Sequence, residues 1–141
     1  MLVYNNTFLS GRYNRKSIIS SIREKLCDIN GTIALNEFDL NLVLDEAIMN
    51  AMEHGNSWNP EKKIIIKIFQ KENELQILIE DEGSGFNFND LDSTELKWQP
   101  GEKLNIRGRG IFILKQLCDI EWINRGNVIK IALPLKESAL K

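Results

Sequence analysis

Two polar residues, Glu46 and Asn50, lie four positions apart in a segment whose apolar residues recur at helical spacing. Residues four apart share one face of an α-helix, so this carboxylate and this carboxamide can share one ligand. The small residues Ala47 and Ala51 stand beside the pair, and we expect them to let another group approach the helix closely. Because Glu and Asn are also common on solvent-exposed helices, the pair alone does not define a site.

A second group able to do chemistry follows a predicted strand and consists of Asp81, Gly83 and Gly85. A carboxylate at the end of a strand can accept a hydrogen bond from a ligand, and the glycines allow close approach of the backbone. An ordinary glycine-rich turn has the same composition, so this segment also needs support from its neighbours.

The third group is Gly108-Arg109-Gly110, which we predict to open a helix after a long irregular segment. The free N–H groups and the positive dipole end of a helix N-terminus bind anions, and glycine lets a phosphate come close to the backbone. The segment is neither a Walker A loop nor a dinucleotide-binding fingerprint, because it lacks the spacing and the βαβ context that those motifs need.

An α+β order of elements must position these three groups. Asn36 and Asp39 resemble a capping pair, so the helix that carries Glu46 should begin near Glu37 and end at Gly55. Because most predicted strands are hairpin neighbours, we expect a mixed, mostly antiparallel sheet with about three helices on one face, a two-layer sandwich. Helical spacing also covers residues 14–29, and strands are predicted at 2–9, 63–69, 75–79, 120–123 and 128–131.

Length and composition exclude several classes of function. A chain of 141 residues is expected to form one domain, and its formal charge of −2 disfavours binding to nucleic acid or an anionic membrane. The chain has one histidine and two cysteines, which argues against zinc chemistry. Both cysteines lie in apolar helix-like stretches, so we predict buried free thiols. Neither a secretion signal nor a transmembrane run is recognisable, so we expect a cytoplasmic protein.

In this order, the three segments resemble the N, G1 and G2 boxes of the GHKL ATPases, which include gyrase, the heat-shock chaperone, histidine kinases and mismatch-repair ATPases. The boxes run from Glu46 to Asn56, from Asp81 to Phe86 and from Arg107 to Leu114. The Glu-His-Gly-Asn and Arg-Gly-Arg-Gly-Ile-Phe runs look most like bacterial anti-sigma factor serine/threonine kinases of partner-switching systems. The resemblance implies a single histidine kinase-like ATPase domain, or Bergerat fold, over residues 1–141, with a lid at about 87–107.

The same resemblance implies a role for each candidate residue, with ATP and Mg²⁺ as cofactors. Glu46 would be the catalytic general base, and Asn50 would hold Mg²⁺ through its carbonyl oxygen, which suits the preference of that ion for hard oxygen ligands. Asp81 would accept a hydrogen bond from the amino group of adenine. The other residues expected to bind the nucleotide line the pocket floor or meet the phosphates: Gly83, Gly85, Gly108, Arg109 and Gly110.

Two features depart from the family pattern or leave a choice open. The family often places a threonine near adenine in the last strand, but residues 126–134 contain neither Thr nor Ser, so the second contact to adenine is not identified. Lys97, Lys103 and Arg107 of the lid are all candidates to meet the γ-phosphate, and the sequence does not choose among them.

The function implied is that of an ATP-binding serine/threonine protein kinase, acting as an anti-sigma factor, that phosphorylates a small STAS-type antagonist. The alternative is a nucleotide-loaded regulatory module that sequesters a partner without turnover. The catalytic fragment of a two-component histidine kinase is disfavoured, because no helical hairpin with a phosphoaccepting histidine accompanies the motifs. The partners expected are the antagonist, a sigma factor or equivalent regulator, and a second copy in a homodimer, with no direct nucleic-acid or membrane contact.

Overall fold

The elements follow the order expected for an α+β protein, with two pairs of consecutive strands among the helices. The computed structural model describes residues 1–11, 14–29, 32–83, 106–124 and 126–136. Within these ranges the elements are β1 (Leu2–Leu9), α1 (Arg15–Cys27), β2 (Thr32–Ile33), α2 (Glu37–Asn50), a π-helical turn (Ala51–Gly55), β3 (Lys63–Gln70), β4 (Glu74–Glu80), α3 (Ile106–Leu117), β5 (Asp119–Ile123) and β6 (Val128–Lys136).

The six strands form one sheet in the order β1-β3-β4-β6-β2, with β5 paired to β6. Every pairing among the described strands is antiparallel, so the sheet is less mixed than the sequence predicts. Every second residue is buried throughout β4 and as far as Ile68 in β3, among them Ile64, Ile66 and Ile77. Since successive residues of a strand point to opposite faces, one face of the sheet is covered.

The three helices cover that face and share one hydrophobic core with it. Ile18 and Ile22 of α1, Leu44 and Ile48 of α2, and Leu114 of α3 are each at most 1% exposed. Full burial of a side chain of this size is worth about 1.5–3 kcal/mol. The predicted two-layer α+β sandwich is therefore confirmed, with the helices held on the sheet by apolar packing.

The helix boundaries agree with the sequence at α2 and differ at α3. The Oδ1 of Asn36 accepts a hydrogen bond from the backbone N–H of Asp39 at 2.8 Å, and α2 begins at Glu37 as predicted. Helix α3 begins at Ile106, two residues before Gly108, so the last two residues assigned to the lid belong to this helix. The rest of the predicted lid, residues 87–105, lies outside the described residues.

Two smaller expectations need correction. Ala47 and Ala51 belong to the hydrophobic core, so the packing of α2 accounts for their small side chains. Both cysteines are free, but Cys27 is exposed at the end of α1 and Cys118 is only half-buried, so the prediction of two buried thiols was wrong. Across the described ranges, no helix combines the length and the apolar character needed to cross a membrane.

Candidate functional site

Glu46 and Asn50 lie one turn apart at the end of α2, and both are half-buried. The Oδ1 atom of Asn50 is buried and has no hydrogen-bond partner among the described residues. Leaving a buried acceptor unsatisfied costs about 1–3 kcal/mol. This oxygen is therefore suited to a ligand that the described part of the chain does not supply.

A neutral carboxamide oxygen is a hard ligand of the kind that Mg²⁺ accepts beside phosphate oxygens and water. Because Mg²⁺ keeps several waters and needs only one or two protein ligands, a single asparagine next to bound phosphates is a sufficient protein contribution. The buried Oδ1 of Asn50 fits such a site.

An ion pair between α1 and α2 lies beside Glu46. The Nε of Arg15 donates to Oδ1 of Asp45 at 2.6 Å, and its Nη2 donates to Oδ2 of the same carboxylate. The hydrogen bond to Asp45 is the main reason that the pKa of Arg15 is raised, and the charge of Glu46 also raises it. Glu46 thus lies within electrostatic range of a guanidinium that ties the first helix to the second.

The π-helical turn after Asn50 brings Gly55 against the end of β4. The N–H of Asn56 donates to the carbonyl of Ala51 at 2.9 Å, a bond that spans five residues, so the chain is wound more loosely here than in α2. A Cβ built on Gly55 would lie 2.2 Å from both Cγ and Oδ2 of Asp81. The helical run ends at Gly55 as predicted, but Gly55 has no positive φ, so the close approach to Asp81 and not a left-handed backbone accounts for the glycine.

Gly83 completes the junction between the first two motifs. Its backbone N–H donates to Oδ1 of Asp81 at 2.8 Å, and a Cβ added to it would lie 2.2 Å from the carbonyl oxygen of Gly55. The two glycines and the carboxylate are therefore in direct contact. This contact places the helix end that follows Glu46 and Asn50 against the turn that carries Asp81.

Asn56 also stabilises the junction between the helix end at Gly55 and the turn that carries Asp81. Sequence reasoning gave this asparagine no role. Its side chain is fully buried; Nδ2 donates to the carbonyl of Lys63 at 2.9 Å, and Oδ1 accepts from the N–H of Glu82 at 2.8 Å. Glu82 in turn accepts a hydrogen bond from the N–H of Lys63. The partners of Asn56 lie seven and 26 residues away, so no local sequence signal could identify these hydrogen bonds.

Asn127, between β5 and β6, contacts the backbone of Asp81 and was also missed. The N–H of Asp81 donates to the carbonyl of Asn127 at 2.9 Å, and Nδ2 of Asn127 donates to the carbonyl of Asp81 at 3.4 Å. Asn127 is 5% exposed, and its Oδ1 is buried without a hydrogen-bond partner in the described part of the chain.

The third motif lies at the start of α3, which packs against α2. Gly108, Arg109 and Gly110 fall within the first five residues of that helix, where unpaired N–H groups favour an anion. Arg107 is its second residue. Gly85 lies outside the described residues, as do Lys97 and Lys103.

Comparison with known proteins gives two findings. Residues 16–133 match the family model described as the histidine kinase-like ATPase domain, and this range contains all three motifs. Serine-protein kinase RsbW of Oceanobacillus iheyensis is 32% identical over 89 residues, which cover 61% of this chain and 56% of that protein. The chain is thus similar to a little over half the length of this curated relative.

Proposed function

The chain belongs to the histidine kinase-like ATPase family, and on this premise we propose that it is an ATP-dependent serine/threonine protein kinase and anti-sigma factor that phosphorylates a small STAS-type antagonist. The observation that carries the proposal is the junction of Gly55 with Asp81, which joins the helix of Glu46 and Asn50 to the turn after β4. The similarity to a protein named as a serine-protein kinase supports the choice of acceptor.

Asp81 recognises the base in this proposal. A carboxylate has about four acceptor positions, so that of Asp81 can accept from the N–H of Gly83 and also from the amino group of adenine. Gly83 lies at the floor of the proposed pocket, since a larger side chain there would collide with the carbonyl of Gly55. Gly85 is proposed for the same role from its place in the motif alone.

Asn50 and the start of α3 bind the phosphate end. Asn50 holds Mg²⁺ through Oδ1, and Gly108, Arg109 and Gly110 meet the phosphates at the helix N-terminus. Mg²⁺ held there would supply positive charge to offset that of the transferred phosphoryl group. The protein contributes mainly position and charge, because phosphoryl transfer of this kind needs no covalent intermediate with the enzyme.

Glu46 is the general base. It accepts the proton from the Ser or Thr hydroxyl of the antagonist as that oxygen forms its bond to the γ-phosphorus and ADP leaves. Its place one turn before Asn50 puts the base next to the proposed ion-binding oxygen. The further partners proposed are a sigma factor, which the protein restrains, and a second copy in a homodimer.

The test is a transfer assay with radiolabelled ATP, Mg²⁺ and a STAS-type antagonist domain taken from the genomic neighbourhood of the gene. We expect label on a Ser or Thr of the antagonist, and we expect Asn50→Ala to weaken Mg-ATP binding itself. Nucleotide binding without any labelled antagonist would contradict the kinase assignment. A complex with the antagonist that forms equally with a nonhydrolysable analogue would then identify a regulatory module without turnover.

A further inference from the structure

The pairing of β3 with β4 stops one step before the junction, and two side chains take its place. The last paired residues are Ile65 and Glu80. In the same antiparallel register the next pair would be Lys63 and Glu82. Here the carboxamide of Asn56 lies between the two backbones: it accepts from the N–H of Glu82 at 2.8 Å and donates to the carbonyl of Lys63 at 2.9 Å. A side chain thus bridges the two groups that would bond directly in a continued ladder.

The carboxylate of Glu82 closes this arrangement. Its Oε1 accepts a hydrogen bond from the N–H of Lys63, so the N–H and the C=O of Lys63 are both bonded. The three hydrogen bonds form a closed ring through Asn56, Lys63 and Glu82, which we name the strand-end ring. Because this ring separates the two backbones, the chain that follows β4 turns away from β3 and meets the helix end at Gly55.

The turn after Asn56 contains two residues in an unfavourable backbone conformation. Ser57 and Trp58 have φ angles of 52° and 58°, in the left-handed region that residues with a side chain rarely adopt. Such a conformation persists only where neighbouring contacts enforce it. Asn56 is fully buried and bonded at both ends of its carboxamide, and the N–H of Trp58 donates to the carbonyl of Met52 at 2.7 Å. These contacts hold the segment between the π-helical turn and β3 in a single course.

From this geometry we infer that Asn56 and Glu82 are positioning residues of the nucleotide site: the strand-end ring sets the direction of the turn after β4, and with it the place of the Asp81 carboxylate. The inference rests on the proposed nucleotide site. The N–H of Glu82 belongs to the peptide group that joins Asp81 to Glu82, so the ring holds this peptide group directly. An acceptor displaced by about 1 Å from hydrogen-bond distance no longer forms the bond.

Glu82 allows a positioning role to be separated from a purely structural one, because its side chain is exposed while that of Asn56 is fully buried. Glu82→Ala removes the acceptor for the N–H of Lys63. Glu82→Gln loses the negative charge but keeps a side-chain oxygen that can accept the same bond. Glu72→Ala, which removes another exposed glutamate in the β3–β4 turn, is the matched control.

The experiment measures dissociation constants of the wild type and these three variants for ATP and for purine riboside triphosphate, in which hydrogen replaces the amino group of adenine. We expect Glu82→Ala to lose ATP affinity by about 3- to 10-fold, the worth of one hydrogen bond, and to change analogue affinity by less than about twofold. Glu82→Gln and the control should stay within about twofold of the wild type for both nucleotides. Circular dichroism verifies that each variant is folded.

Three results would overturn the inference. Equal losses for both nucleotides in Glu82→Ala would show that the strand-end ring supports the pocket without acting through Asp81, and no loss for either would show that the ring does not affect nucleotide binding. A loss in Glu82→Gln as large as that in Glu82→Ala would show that the charge of Glu82 acts and not its hydrogen bond. Equal affinities of the wild type for both nucleotides, or binding of neither, would instead overturn the proposed function.

Discussion

The Cα of Gly55 lies against the carboxylate of Asp81, and a Cβ at Gly55 would come within 2.2 Å of Cγ of Asp81. This contact connects the π-helical turn after α2 to the end of β4. Glu46 and Asn50 precede the turn, so the position of the acid and amide on the helix is fixed relative to the carboxylate on the sheet. The geometry of the candidate site thus depends on the absence of a side chain at Gly55.

Gly55→Ala should displace Asp81 and weaken ATP binding by at least about 5-fold, since an added methyl group in a filled space costs about 1–3 kcal/mol. Isothermal titration calorimetry measures the affinity, and urea unfolding measures the stability of the folded state. Glu61→Ala, in the exposed turn before β3, is the control and should change neither. An unchanged ATP affinity in Gly55→Ala would show that the Asp81 carboxylate does not need its present position.

Asn56→Ala should lower the free energy of unfolding by about 1–3 kcal/mol for each partner left unsatisfied, because it removes bonds to both Lys63 and Glu82. Asn59→Ala is the matched control: in the part of the chain that the structure describes, its Oδ1 accepts from the N–H of Glu61, two residues away in an exposed turn. Urea denaturation of the two variants measures the difference. Equal free energies of unfolding for the two variants would contradict a stabilising role for the hydrogen bonds of Asn56.

Much of the fold could be predicted from local patterns. The cap formed by Asn36 and Asp39 gave the first residue of α2, because that interaction spans only three residues. A run rich in β-branched residues predicted β3 to within one residue, since such side chains are typical of strands. The two-residue strand β2 was missed because it is too short to show alternation.

The internal contacts of the site could not be predicted in the same way. The motifs identified Asp81 and Gly83. They did not indicate that Gly55 faces these residues, because the π-helical turn changes the direction of residues after Asn50. The roles of Asn56 and Asn127 depend on partners 26 and 46 residues away. Only the folded sheet brings these asparagines to their partners.

Cys118 should react slowly with iodoacetamide at neutral pH. Burial, together with the charge of Asp119, raises its pKa from 9.0 to about 11, and only the thiolate is nucleophilic. In Cys27→Ser, which leaves Cys118 as the single thiol, the rate should keep rising between pH 9 and 11. Cys118→Ser, which leaves the exposed Cys27, is the matched variant for comparison.

The raised pKa of Cys118 also predicts how the stability of the folded chain changes with pH. The folded chain holds the Cys118 proton to higher pH than the unfolded chain, so the contribution of this thiol to the free energy of unfolding is constant below about pH 9 and falls towards about pH 11. The difference in stability between the wild type and Cys118→Ser should therefore depend on pH only in that window. A rate in Cys27→Ser that levels off near pH 9 would contradict both expectations.

The central claim is that Glu46 performs the proton transfer while other residues bind the nucleotide, and Glu46→Gln tests it most directly. The dissociation constant for Mg-ATP and the rate of phosphate transfer to the antagonist are measured on the same preparation. Removal of a general base lowers the rate by about 10²–10⁴-fold, and we predict such a loss with ATP affinity unchanged. A transfer rate within about threefold of the wild type, well short of that range, would contradict the account.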